Sequence, residues 1–380
     1  MPRHRFLARL VASLAPLCVA PAFGGTFTVL HAFEGSDGSN PSAPLVFTGG
    51  RIFGTTLYGS SFGTAFELSK TGKLTTLHNF GDPGDGADPF SNLTELNGVL
   101  YGTTSSGGAN SQGTIFSIAP DGSETVLHSF AGPDDGRFPL SGMVAMDGVL
   151  YGATAAGGDS SCNGGSGCGV VYSFDPSNAR FKTVYRLSDD SGWFVSANLL
   201  PVHGTLYGTA PSGGAHGSGT AFSVSPAGDF RVLYSFTGGA DGGYPTAALT
   251  VVDGLFYGTA SSGGAKGMGV AFSLTPSGEE TVLHSFGSRG DGSQPNSNLT
   301  YLAGKFYGTT TGGGASSGGT IFSIGKSGHE VVEWSLDHAD GIFPQAGLVA
   351  NKGVLYGSAY TGGSDGCGGH GCGTVFSYVP

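Results

Sequence analysis

Charge is scarce in this chain. Only 11% of its 380 residues are Asp, Glu, Lys or Arg, against about 25% in an average soluble domain. No apolar run reaches the roughly 18 residues that a membrane-spanning helix needs. There is no G-X-Y period, which excludes collagen. Long amphipathic helices are excluded as well, because Gly interrupts the chain every few residues. No Gly-x-Ser-x-Gly elbow, His-Glu-x-x-His helix or phosphate loop occurs, and Gly-x-Gly strings are uninformative at this composition. What abounds is Gly, 72 residues, with 19 Pro and 11% aromatics. Aromatics with so little charge argue against disorder. A turn-rich all-β protein remains.

Residues 1–24 read as a signal peptide. Arg3, Arg5 and Arg9 precede an apolar stretch from Leu10 to Val19, then small residues at Ala20, Ala22 and Gly24, so cleavage after Ala22 or Gly24 is expected. Cys18 raises the alternative of a lipid anchor, but Leu17 stands where a small residue belongs. Export implies a periplasmic, cell-surface or extracellular location. Losing the three arginines moves the formal charge from −11 to near −14. Such a surface repels nucleic acid and anionic membranes. Four Cys remain, as local pairs Cys162/Cys168 and Cys367/Cys372. In an exported protein they read as disulfides. The rival is zinc held by a Cys pair with His370.

Internal repetition is the main signal. Tyr-Gly-Thr/Ala/Ser recurs at Tyr101, Tyr151, Tyr207, Tyr257, Tyr307 and Tyr356, with Phe53-Gly54-Thr55 as the first copy. The spacings are 48, 50, 56, 50, 50 and 49, and the Cys162–Cys168 loop explains the long one. Gly-Thr/Val-x-aromatic and Val-Leu-His-Ser-Phe patterns also recur seven times. Asp-Gly-x-x-Pro starts at Asp37, Asp85, Asp135, Asp241, Asp291 and Asp340, with a degenerate copy at Ser191-Gly192. Each unit holds four β-prone runs, A to D. In the second copy they are Ser91–Leu96, Val99–Thr104, Thr114–Ile118 and Glu124–Phe130. Asn97-Gly98 and Pro120-Asp121-Gly122 supply the turns.

Four antiparallel strands in about 50 residues describe a propeller blade, so residues 25–380 are expected to form a seven-bladed β-propeller. The chain opens with a D-type run, Thr26–Phe33, and closes on a C-type run, Gly373–Tyr378. The N-terminal strand should therefore complete the last blade and remove an open edge. An open β-solenoid, the alternative, would not need complementary ends. Gly on strand B should let neighbouring backbones approach.

At fold level the layout is kelch-like, although the kelch Tyr and Trp spacing is missing. The run Leu100-Tyr101-Gly102-Thr103-Thr104 through Leu127-His128-Ser129-Phe130 more closely resembles the GloVer tandem repeat of exported bacterial proteins. The resemblance covers nearly all of the mature chain. It implies an exported propeller and no established activity. The C-terminal surface anchor of such proteins is not expected after Pro380.

Binding is expected on the face shared by the D–A and B–C loops, where both Cys insertions also lie. Asp37, Asp85, Asp135, Asp241, Asp291 and Asp340 would ring that face, either touching a cation or sugar hydroxyls or bonding the backbone of their own turns. His31, His78, His128 and His284 alternate with Tyr185, Tyr234 and Trp334 at one strand-D position, which suggests packing. His338, Asp340 and His370 in the last blade are the candidates for proton transfer. Trp193 and Phe194 could stack on a sugar or pack under their loop. The leading expectation is a monomeric binding module for an extracellular glycan or protein, with no cofactor and no metal. The alternatives are a polysaccharide lyase or hydrolase with one site at the channel mouth, and a purely structural repeat.

Overall fold

A computed structural model of the chain describes residues 24–59, 62–288 and 290–380. The expected signal peptide, apart from Gly24, lies outside these residues. The second repeat shows how each unit forms. Asn97 and Gly98 take φ of 55° and 81°, as a two-residue I′ turn requires. The turn reverses the chain between Thr94–Leu96 and Val99–Thr104. Thr114–Ile118 and Glu124–Ser129 follow, giving an antiparallel sheet in the order A-B-C-D. Strand A begins three residues later than the sequence suggests. The Ser91 hydroxyl bonds Thr103 and replaces part of the ladder.

Seven four-stranded sheets of this kind form the ring. In the last, Thr374–Val379 pairs with Val354–Ala359 on one side. On the other it pairs with Thr26–Ala32, from Thr26 opposite Val379 to Ala32 opposite Thr374. The N-terminal strand closes the ring, as the complementary ends imply.

The core lies between blades. Ala221 and Phe236 of blade four pack with Leu249, Phe256 and Phe272 of blade five, all almost fully buried. Each such ring contributes about 1.5–3 kcal/mol by leaving water. The Thr of Tyr-Gly-Thr ties neighbours together: Thr209 Oγ1 donates to Ala247 O at 2.8 Å, and Thr259 Oγ1 to Ser297 O at 2.9 Å. The strand-B glycines serve a different purpose from the one expected. A Cβ on Gly208 would lie 2.6 Å from the Phe222 ring and 2.9 Å from Leu199. The missing side chain makes room for the blade's own strand-C aromatic rather than for a neighbouring backbone.

Every C–D ladder skips one D residue at the same place, such as Leu127 between Val126 and His128. A bulge of this kind re-aims the next side chain, here the one that turns toward the D–A loop. It also pushes a carbonyl at the next blade: a Cβ on Gly278 would sit 2.3 Å from Leu233 O.

Candidate functional site

The D–A and B–C loops of each blade are stitched together. Bridges join Ser39 to Tyr58, Arg137 to Ala156, Trp193 to Ser212, Gly243 to Ser262 and Ile342 to Thr361. In blades two and six the same contacts become two-residue ladders. The two loop sets share one face.

The Asp and His series, which the sequence presents as two patterns, meet on this face. His31 Nε2 lies 2.8 Å from Asp37, His78 2.9 Å from Asp85, His128 3.0 Å from Asp135 and His284 3.0 Å from Asp291. Tyr234 donates to Asp241 at 2.9 Å, and Trp334 to Asp340 at 2.8 Å. Five of these carboxylates also accept backbone N–H groups of their own loops, as Asp85 does from Gly81 and Gly86, and Asp135 from Ala131 and Gly132. The histidine rings stand edge-on to the Phe two residues on, as His284 does to Phe286 at 4.7 Å. Each pair fastens a D–A loop to its blade.

The next blade sets the electrostatics of each pair. Glu124 adjoins Asp85 and His78; Glu280 adjoins Asp241 and Tyr234; Glu330 adjoins Asp291 and His284. Burial, then the neighbouring Asp, pushes each Glu up to about 7, and each has a buried carboxyl oxygen without a hydrogen-bond partner among the described residues. Burial pulls His284 down, but Asp291 and Glu330 outweigh it and leave the imidazole above its usual value. At His128 the next blade supplies Phe181, stacked at 4.2 Å; burial wins there and lowers the value. His78–Asp85–Glu124 and His284–Asp291–Glu330 bring their ligand atoms within 4.8 Å of one another. These are the residues that could hold a divalent ion, although their Asp oxygens already take imidazole and backbone donors.

The remaining candidates separate. His338 and His370 are exposed, and among the described residues their rings make no hydrogen bond with Asp340 or each other. Burial raises Asp340, and Trp334 occupies it. Trp193 packs against the core cluster of blades three and four, while Phe194 is 42% exposed. Cys162–Cys168 and Cys367–Cys372 are disulfides, with Cα atoms 5.6 and 5.3 Å apart.

Two features of this face escape sequence reading. The first is a cavity of about 470 Å³ lined by residues of all seven blades, from the segments that lead into strand A. Its polar lining is Asn92, Asn198, Asn296, Asn298 and Gln345 with Ser42, Ser91, Ser196 and Thr246. Among the described residues, no charged side chain lines it. Asn198 donates to Asn92 at 2.7 Å and accepts from the Gly142 N–H. Among the described residues, the amides of Asn298 and Gln345 have no protein partner. None of the six repeated Asp residues lines this cavity.

The second feature is the residue just before the Pro of Asp-Gly-x-x-Pro. It is left-handed in every blade: Asn40, Asp88, Phe138, Phe194, Tyr244, Gln294 and Phe343 have φ between 54° and 66°. In six blades the fold imposes this by pinning the residue from two sides; among the described residues Phe194 makes neither bond, Pro211 standing where the other blades have an N–H donor. Tyr244 N–H donates to Ser218 O of the preceding blade, and Tyr244 O accepts from Ser261 N–H of its own. Four blades place an aromatic there, 38% exposed at Phe138, 50% at Tyr244 and 41% at Phe343. Phe194 lines the cavity itself. The only sequence signal is an aromatic recurring before Pro in three of these blades, where an extended conformation would be expected; Phe194 precedes Val195.

No helix among the described residues is long and apolar enough to cross a membrane. The Gloeobacter/Verrucomicrobia repeat matches residues 19–164 and 160–376. No curated relative matches the sequence. The extracellular domain of a proposed one-component system from B. thetaiotaomicron aligns with a TM-score of 0.54 at 10% identity, over 93% of this chain and 40% of that one. A proposed 6-phosphogluconolactonase from Bacteroides uniformis aligns with a TM-score of 0.50 at 17% identity, over 77% of this chain and 85% of that one. The chain also spans 27% of the tricorn protease, with 84% of its own length, 12% identity and a TM-score of 0.44. At these identities the likeness is one of fold. The repeat, matched over nearly the whole length, shows that the chain belongs to the Gloeobacter/Verrucomicrobia repeat family.

Proposed function

We propose that this Gloeobacter/Verrucomicrobia repeat protein is an exported propeller that binds a neutral extracellular glycan at the axial mouth of its D–A/B–C loop face. The leader-like residues 1–24 and the two disulfides support export. The observation that carries the ligand class is the cavity lining: amides and hydroxyls from six of the seven blades set among apolar residues, with no charged side chain among the described residues. Such groups match the donors and acceptors of sugar hydroxyls, and the lack of formal charge favours a neutral ligand over an anion or a metal ion. Among the described residues the lining also holds no titratable group to act as acid or base, which favours binding over hydrolysis or elimination. The Asp series lies outside the cavity lining, where its bonds to strand D hold the loops in place.

The test is a glycan array probed with residues 25–380, with and without calcium, beside the double variant Asn298→Ala/Gln345→Ala. Neutral glycans should bind independently of calcium, and the variant should bind at least tenfold more weakly, a loss of about 1.4 kcal/mol. Binding that requires calcium, or that the double variant retains in full, would move the site away from the mouth.

A further inference from the structure

The four exposed aromatics at the left-handed position have no structural need to be aromatic. Side chains are poorly tolerated in that backbone region, where a non-Gly residue costs about 1–3 kcal/mol. Asn is the cheapest alternative to Gly there, and blade one uses Asn40. Gln294 and Asp88 show that the position accepts polar residues too. A ring at this place gains little by burial, because Tyr244 stays 50% exposed and Phe194 42%. Blades three, four and five nevertheless carry Phe138, Phe194 and Tyr244 in succession. The left-handed backbone thus places one exposed ring on each of three successive blades; the middle one, Phe194, lines the cavity with its uncharged amides, and the Arg137 guanidinium lies 5.6 Å from the Phe138 ring.

Resting on the glycan reading above, we infer that Phe138, Phe194 and Tyr244 form a stacking platform. It would hold a neutral polysaccharide chain across blades three to five, with one end over the axial cavity. Aromatic faces bind the C–H faces of pyranose rings, and the neighbouring amides bind their hydroxyls. One ring per blade gives repeated contacts to a repeated polymer, so affinity rises with chain length. The platform, rather than the mouth, sets the preference for a polymer over a free sugar.

The experiment uses Phe138→Asn, Phe194→Asn and Tyr244→Asn, singly and together, in the full mature chain. Affinity electrophoresis is run through gels containing mixed-linkage β-glucan, galactomannan, xylan or polygalacturonate, and each variant is melted in parallel. Wild type should be retarded by at least one neutral polymer. Each substitution should weaken that binding by about tenfold, while Tm stays level or rises as the backbone strain is relieved. If wild type binds a neutral polymer and the triple variant binds it equally well, the platform is overturned and the mouth reading survives. If the variants melt below wild type, the rings are structural and the platform is overturned. If wild type binds only polygalacturonate, or no polymer at all, the platform and the neutral-glycan reading fall together.

Discussion

Glu124, Glu280 and Glu330 are the residues whose chemistry depends most on their neighbours. Each is pushed up to about 7 from an ordinary 4.5 by burial and an adjacent Asp. Folding therefore favours the protonated form. That stabilisation is complete below about pH 4.5 and is lost as the pH rises through 7. Tm should accordingly fall between about pH 5 and pH 8 in thermal melts. The triple variant Glu124→Gln/Glu280→Gln/Glu330→Gln should flatten the fall. An unchanged slope in that variant would show that these groups do not control it. The histidines give a second readout. In an NMR titration His284, beside Glu330, should titrate above its usual value and His128, under Phe181, below it. Glu330→Gln should lower His284 and leave His128 alone.

Strand B shows why an element so rich in Gly is still rigid. Its glycine is not there for flexibility, because the strand-C ring lies directly over the Cα. Gly208→Ala would drive a methyl into Phe222 and Leu199. Overpacking of that kind costs about 1–3 kcal/mol, readable as a lower denaturant midpoint. Gly204, in the A–B turn, is the control. Its φ is 77°, and a Cβ there would meet nothing within 4 Å, so Gly204→Asn carries only the left-handed backbone strain, about 1 kcal/mol and least for Asn, and should cost less than Gly208→Ala. Equal effects at the two positions would contradict the packing account.

At the scale of the whole molecule, stability depends on one non-covalent closure. Among the described residues, Thr26–Ala32 is the sole partner of the outer edge of Thr374–Val379. Deleting residues 25–33 would leave that edge open to pairing with other chains. The truncated protein should melt lower and run as larger species in size-exclusion chromatography. A peptide of residues 25–33 added in trans should reverse both effects. A truncated chain that elutes as the full mature chain does, with an unchanged Tm, would mean the ring does not need its clasp.

The amino-acid sequence by itself determined the architecture, because every blade writes the same local physics seven times. Two-residue turns such as Asn97-Gly98, strand-length apolar runs and complementary chain ends are short-range signals, and repetition removes their ambiguity. It likewise marked the loop face and the disulfide pairs. Only the tertiary structure decided what the loop residues do. His128 and Asp135 lie seven residues apart, but a bulge at Leu127 is what turns one toward the other. Glu330 acquires its proton affinity from burial in the closed ring and from Asp291, which bonds a histidine of another blade. The axial mouth needs one segment from each of seven blades. Phe138, Tyr244 and Phe343 are legible as letters before Pro, yet their left-handed backbone is held by hydrogen bonds to the preceding blade. Contacts of that range leave no period in the chain, so they take form only when the ring closes.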